Sequence, residues 1–113
     1  MADNPRRDEI PPGTLYMLIL RMLASHPALH GYEIANAIQQ VSEDVLQVEE
    51  GSLYPALQRM LLKGWVTAEW GVTAGNRRAR YYRLTAGGAR QLHAEMKQYR
   101  RVSGAIQKIL QTA

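Results

Sequence analysis

Apolar positions recur along this chain at two spacings, and the change from one to the other divides it into elements. From Thr14 to about Ser25, Leu15, Leu18, Ile19, Met22 and Leu23 fall at i, i+3, i+4, i+7 and i+8, one stripe of an amphipathic helix. Tyr16, Met17 and Leu20 widen the stripe, so this helix is expected to pack on more than one side. Thr14 stands where a hydroxyl caps a helix, and His26-Pro27 ends it, because the residue before a proline disfavours the helical region. His30-Gly31 opens a second helix to about Val41, with Ile34, Ala37, Ile38 and Val41 inward, and Ser42-Glu43-Asp44 breaks it. A third helix is predicted from about Glu49 to Lys63 on the stripe Leu53, Ala56, Leu57, Met60 and Leu61. Gly64 suits the left-handed position that closes it, with Trp65 folding back toward Met60. Pro55 is the irregularity. Its ring opposes the Gly51 carbonyl and removes one hydrogen bond, so either the first turn is distorted or the regular helix starts later.

The period then changes to two. Val66, Ala68 and Trp70 share one face of a strand, Tyr82 and Leu84 share one face of another, and a polar glycine-containing loop over 71–78 joins them as a hairpin. Thr85 caps a last helix running to about Gln111. In it Leu92, Met96, Tyr99, Ile106 and Leu110 recur in heptad fashion, with Ala89 and Ser103 completing the seam. At ~1.5 Å per residue this helix is roughly 40 Å long. It is too long to bury its stripe on so small a domain, which implies a partner helix. The expected architecture is mainly α with a β-hairpin. A winged helix-turn-helix domain occupies residues 1–85, of which 1–12 form a flexible lead, and one long C-terminal dimerisation helix occupies 86–113.

Composition narrows the partners. The 113 residues suit one domain, and a net charge of +4 leans toward an anionic partner without naming it. With no cysteine, disulfides and thiolate metal sites are excluded. No apolar run approaches the length of a membrane span, and the charged, proline-containing start lacks the apolar centre of a signal peptide, so a cytoplasmic location is expected. His26, His30 and His93 are scattered, with no metalloprotease spacing, nucleophile elbow or phosphate-binding glycine loop. Neither enzyme activity nor a cofactor is expected.

Two constellations carry chemistry. The polar face of the third helix holds Ser52, Tyr54, Gln58 and Arg59, all able to hydrogen-bond to base edges or phosphates. Alone, such a face is more often plain solvated surface. The order helix, helix, helix, hairpin changes that balance, because it is the order of a helix-turn-helix followed by a wing. The second constellation is the hairpin. Arg77, Arg78 and Arg80 lie within four residues, Arg83 follows, and Glu69 is the acidic residue nearby. Guanidinium forks suit phosphates and narrow minor grooves, which makes double-stranded DNA the leading partner.

Five ordered motifs sharpen this. Gly13-Thr-Leu before an apolar helix, His30-Gly-Tyr-Glu-Ile34, Gly51-Ser-Leu-Tyr-Pro-Ala-Leu57 with Arg59, Lys63-Gly64, and Arg77-Arg78 ahead of Tyr81-Tyr-Arg-Leu-Thr85 together resemble the PadR family of bacterial winged-helix regulators. The resemblance implies a homodimeric repressor on a two-fold symmetric operator. Ser52, Tyr54 and Pro55 match the start of the family's recognition helix, and Arg77 and Arg78 match its wing. A single C-terminal helix looks like the short-tailed branch, in which aromatic side chains at the dimer centre take flat apolar effectors. By that analogy Met96 and Tyr99 would meet such a ligand, although the same two residues serve equally well as dimer core. Two departures stand out. Leu61-Leu62 replaces residues that are usually charged, so this part is expected to pack more and touch DNA less, and Gly104 invites fraying or bending of the last helix. The competing readings are a winged-helix protein-interaction module and a ligand sensor without direct DNA readout.

Overall fold

A computed structural model describes residues 8–112. The chain runs β1 (Asp8–Glu9), α1 (Leu15–Ser25), β2 (Leu29–His30), α2 (Gly31–Val41), β3 (Leu46–Gln47), α3 (Glu50–Leu62), β4 (Val66–Val72), β5 (Arg78–Leu84) and α4 (Ala86–Leu110). All four helices and the hairpin thus stand where the periodicity put them, to within one or two residues at the helix ends. The strands run longer than the alternation suggested, leaving a turn of 73–77.

Most helix ends have a local cause. His30 caps α2 through a reciprocal pair: its Nδ1 accepts from the Glu33 N–H, while a Glu33 carboxylate oxygen accepts from the His30 N–H at 3.0 Å. Gly64 takes φ +75°, and the Trp65 N–H donates to the Met60 carbonyl at 3.0 Å, closing α3 as expected. Thr14 behaves differently from expectation. It precedes α1 but makes no side-chain cap; its hydroxyl donates backward to the Pro11 carbonyl at 2.8 Å. Pro55 sits inside a continuous α3, on the solvent side, where water can serve the Gly51 carbonyl that the proline leaves without a donor.

Two-residue strands escaped the sequence. Leu29 and His30 pair antiparallel with Tyr82 and Tyr81, adding β2 to the hairpin in the order β2-β5-β4. Asp8 and Glu9 pair in parallel with Leu46 and Gln47, and the Asp8 N–H donates to Val45 O at 2.7 Å. The expected flexible lead is therefore corrected from Asp8 onward, and residues 1–7 lie outside the described residues.

The core gathers Ile19, Leu20, Ile34, Leu53, Leu57 and Met60, with Val66 and Tyr82 from the hairpin and Leu92 from α4. Because α1 is packed by α2, α3, β5 and α4 together, its buried arc is wide. Met17, Ile19, Leu20 and Leu23 bury most deeply, whereas Leu15, Leu18 and Met22 are only partly covered. Val41, expected inward, is 69% exposed, since the last turn of α2 overshoots the core before the left-handed Glu43 and Asp44 reverse the chain.

Helix α4 is fastened at its start. The Thr85 hydroxyl donates to the Gly64 carbonyl at 2.7 Å and accepts from the Gly88 N–H at 2.9 Å. The first turn lies so close to the α3–β4 junction that a β-carbon on Gly88 would run into the Trp65 carbonyl oxygen and stand 2.7 Å from Leu84 Cδ1. Gly88→Ala is therefore expected to destabilise the fold by about 2–3 kcal/mol, despite alanine's better helix propensity. Denaturant unfolding checks this, and an unchanged or raised midpoint would contradict the packing.

Leu92 is a further correction. Only 7% exposed, it belongs to the core of its own chain and not to an outer seam, and Met96 packs partly against the same core. Beyond it Tyr99, Val102 and Ile106 are about half exposed, and Ile109 and Leu110 more so. The helix runs through Gly104 without a break.

Candidate nucleic-acid interface

The face of α3 opposite the core carries Gly51, Pro55, Gln58 and Leu62, one above the other at helical spacing. Leu62 is 79% exposed, which corrects the expectation that it would pack inward; Leu61, its neighbour, does so in part. Tyr54 lies on one flank of this ridge. Its ring rests on the start of α2, where a β-carbon on Gly31 would stand 2.9 Å from Tyr54 Cε1. Ser52 lies on the other flank, beside the segment that follows β1. Arg59 is on that side too, with Nη1 donating to the Tyr16 hydroxyl at 3.4 Å.

The hairpin register explains the rest. Val66 faces Leu84, Ala68 faces Tyr82, Trp70 faces Arg80 and Val72 faces Arg78. These pairs share one face of the ribbon. At its base that face is core; toward the tip it outruns the core and becomes a tryptophan between arginines. The Arg78 guanidinium carbon sits 4.8 Å from the Trp70 ring centroid and that of Arg80 sits 5.8 Å away, both in cation–π range. On the opposite face Glu69 meets Arg83 at 3.5 Å, an exposed pair of little energetic weight. That pairing takes up the nearby carboxylate, and no ion pair occupies Arg77, Arg78 or Arg80 among the described residues.

Thr73 fixes the turn. Its N–H donates to the Arg77 carbonyl at 2.8 Å, its hydroxyl accepts from the Arg77 N–H at 3.2 Å, and Asn76 takes φ +63°. Arg77 is thereby held at the tip.

Between α3 and this hairpin lies an open cleft of about 860 Å³. Tyr54 and Gln58 line one wall with Glu50, and Arg77, Arg78 and Arg80 line the other. Five of the eight residues singled out from sequence for DNA contact thus share one concave surface. Pro55 stands on the adjoining ridge, while Ser52 and Arg59 face away from the cleft. Tyr82 lies at the base; burial raises its phenol above the usual tyrosine range even though the Arg80 charge pulls the other way. Trp70, His30 and Tyr32 line the cleft as well and were not foreseen there. The alternation that places Trp70 beside Arg80 was visible, but not the point at which the core ends.

Among the described residues no helix is long and apolar enough to cross a membrane, and no cluster of His, Cys, Asp or Glu is arranged to hold a metal ion.

Three helices followed by a β-hairpin, with a polar helix face and a cationic ribbon on one side, define a winged helix-turn-helix protein. The model of the transcriptional regulator PadR-like family matches residues 19–94, and the chain belongs to that family, whose members are transcriptional regulators and not enzymes. A curated protein of Lysinibacillus sphaericus, itself uncharacterized, is 30% identical over 100 residues, covering 88% of this chain and 91% of its own. Among solved structures, a transcriptional regulator from Clostridium thermocellum superposes with a TM-score of 0.77 at 25% identity over 85% of this chain and 92% of that one. A PadR-like regulator from Bacillus cereus gives 0.75 at 26% identity over 89% and 95%. A PadR family regulator from Clostridium difficile gives 0.72 at 30% identity over 87% and 99%. The chain is a DNA-binding transcriptional regulator.

Proposed function

We propose that the chain is a homodimeric repressor of a two-fold symmetric operator. The observation that carries this reading is the cleft, where the exposed face of α3 and three wing arginines, without ion pairs among the described residues, look onto one volume. Helix α3 enters the major groove. Gln58 and Tyr54 supply hydrogen bonds to base edges, and Pro55 and Leu62 supply apolar contact of the kind a thymine methyl accepts. Arg77, Arg78 and Arg80 grip the flanking phosphates or the adjacent minor groove.

Dimerisation is supported by α4, whose outer half exposes Tyr99, Val102, Ile106, Ile109 and Leu110 at seam spacing. A groove of about 440 Å³ beside it, lined by Met17, Gln98, Tyr99 and Val102, is where a second copy of α4 would pack. Tyr99 is the better candidate for stacking on a flat apolar effector, since Met96 is partly committed to its own core. Relief of repression by such a molecule is part of the same reading.

The test is binding to the DNA upstream of the chain's own gene. Footprinting is expected to reveal an inverted repeat with half-sites roughly 34 Å apart, one helical turn. If six wing arginines per dimer engage phosphates, log K against log salt falls with a slope near −5, by roughly −0.9 per phosphate. A salt-independent affinity, or protection of no inverted repeat, would overturn this reading in favour of a protein-interaction module.

A further inference from the structure

We propose that Trp70 is a positioning residue of the DNA site. Its ring holds the Arg78 and Arg80 guanidiniums as one cationic pair on the hairpin wall of the cleft, where the pair grips the phosphate backbone of the bound duplex. The inference deepens the DNA-binding reading and rests on it.

Trp70 is 60% exposed, so burial does not account for its presence. It projects from the part of the ribbon that outruns the core, and its cross-strand partner is Arg80, with Arg78 on the diagonal beyond. Both guanidiniums lie within 6 Å of its ring centroid, at 4.8 and 5.8 Å. Two like charges held about one ring repel. The electron-rich ring offsets part of that cost, and an anion in the cleft offsets the rest.

Arg80 adds an independent sign. Its Nε is shielded from solvent and has no hydrogen-bond partner among the described residues, a donor that buried sites rarely leave unpaired. Arg80 lines the cleft, as do Trp70, Arg77 and Arg78, whereas Glu69 is on the opposite face of the ribbon with Arg83. Arginine loses much rotamer freedom when it grips an anion, and a ring that already fixes two of them removes that loss before the DNA arrives.

The experiment measures anisotropy of a labelled duplex of arbitrary sequence over a range of salt, because phosphate contacts are sequence-independent. Trp70→Leu keeps an apolar side chain and removes the ring. It is expected to weaken binding about tenfold, and to reduce the salt slope by about 2 as one phosphate per subunit is lost. Trp70→Phe, with a weaker ring quadrupole, is expected to recover most of the affinity. In a chain already carrying Arg78→Ala and Arg80→Ala, Trp70→Leu is expected to change nothing further, an outcome a merely structural role would not produce. Without DNA, the Arg78 and Arg80 Nε–H proton resonances should lose the ring-current shift in Trp70→Leu. Should Trp70→Leu not fold, Trp70→Thr, suited to an exposed strand, carries the same expectations. Wild-type affinity and slope in a folded ring-less variant would overturn the positioning role alone, as would an equal loss in the arginine-less background. Failure of the unsubstituted chain to bind any duplex would overturn the DNA reading itself.

Discussion

Alanine at both Arg77 and Arg78 is expected to weaken DNA binding on the order of a hundredfold near 0.1 M salt, for every sequence alike. Arg77 is held at the wing tip by the Thr73 bonds, and no carboxylate pairs with either side chain among the described residues. Their charges are therefore available in full to phosphate. A dimer loses four such contacts, so the salt slope should fall from near −5 to near −2. The ratio between operator and random duplex should stay almost unchanged, because phosphate contacts position without reading sequence. Changes at Gln58 or Tyr54 should do the reverse, altering preference more than overall affinity. Gel shifts of the double variant on both duplexes decide it, and normal binding would remove the hairpin from the DNA interface.

A carboxylate in place of Tyr99 or Ile106 is expected to turn the proposed dimer into monomers that still fold. Both side chains are half-exposed in the single chain and have no role in its core. In a seam they would be buried twice over, at about 1.5–3 kcal/mol for each large apolar side chain. An unpaired carboxylate there forfeits that gain and adds a desolvation penalty, so the dimer dissociation constant should rise at least about a thousandfold. Sedimentation at micromolar concentration should then show a 12.7 kDa species. Operator affinity should collapse with it, since one subunit bound no longer raises the local concentration of the other. Leu92 is the contrasting site: its substitution should unfold the domain, because it is buried within one chain. A Tyr99→Glu chain that still sedimented as a dimer would refute the seam.

Periodicity sufficed for the helices because each buries a face against one compact centre, and a buried face prints its spacing on the sequence. The family resemblance was equally legible, because five ordered motifs, the Gly51–Leu57 segment and the arginine run among them, carried it together. Errors arose where a pattern continued past the core that gives it meaning. Val41 follows the inward spacing of α2 and is exposed, whereas Trp70 shares the face of Val66 and Ala68 as expected but lies beyond the core. Leu92 shares its heptad with Tyr99 but lies on the near side of the boundary between domain core and outer helix. The two-residue pairings of β1 and β2 are too short for any period to register.

By itself, then, the chain's order of residues determined the helices, the hairpin, the family and the basic wing, since these depend on spacing along the backbone. Tertiary structure alone decided which side chains share the cleft, that Ser52 and Arg59 turn from it, and that Trp70 joins Arg78 and Arg80. Those outcomes depend on where the core ends and which elements meet across it, and distance in space is not written as distance in sequence.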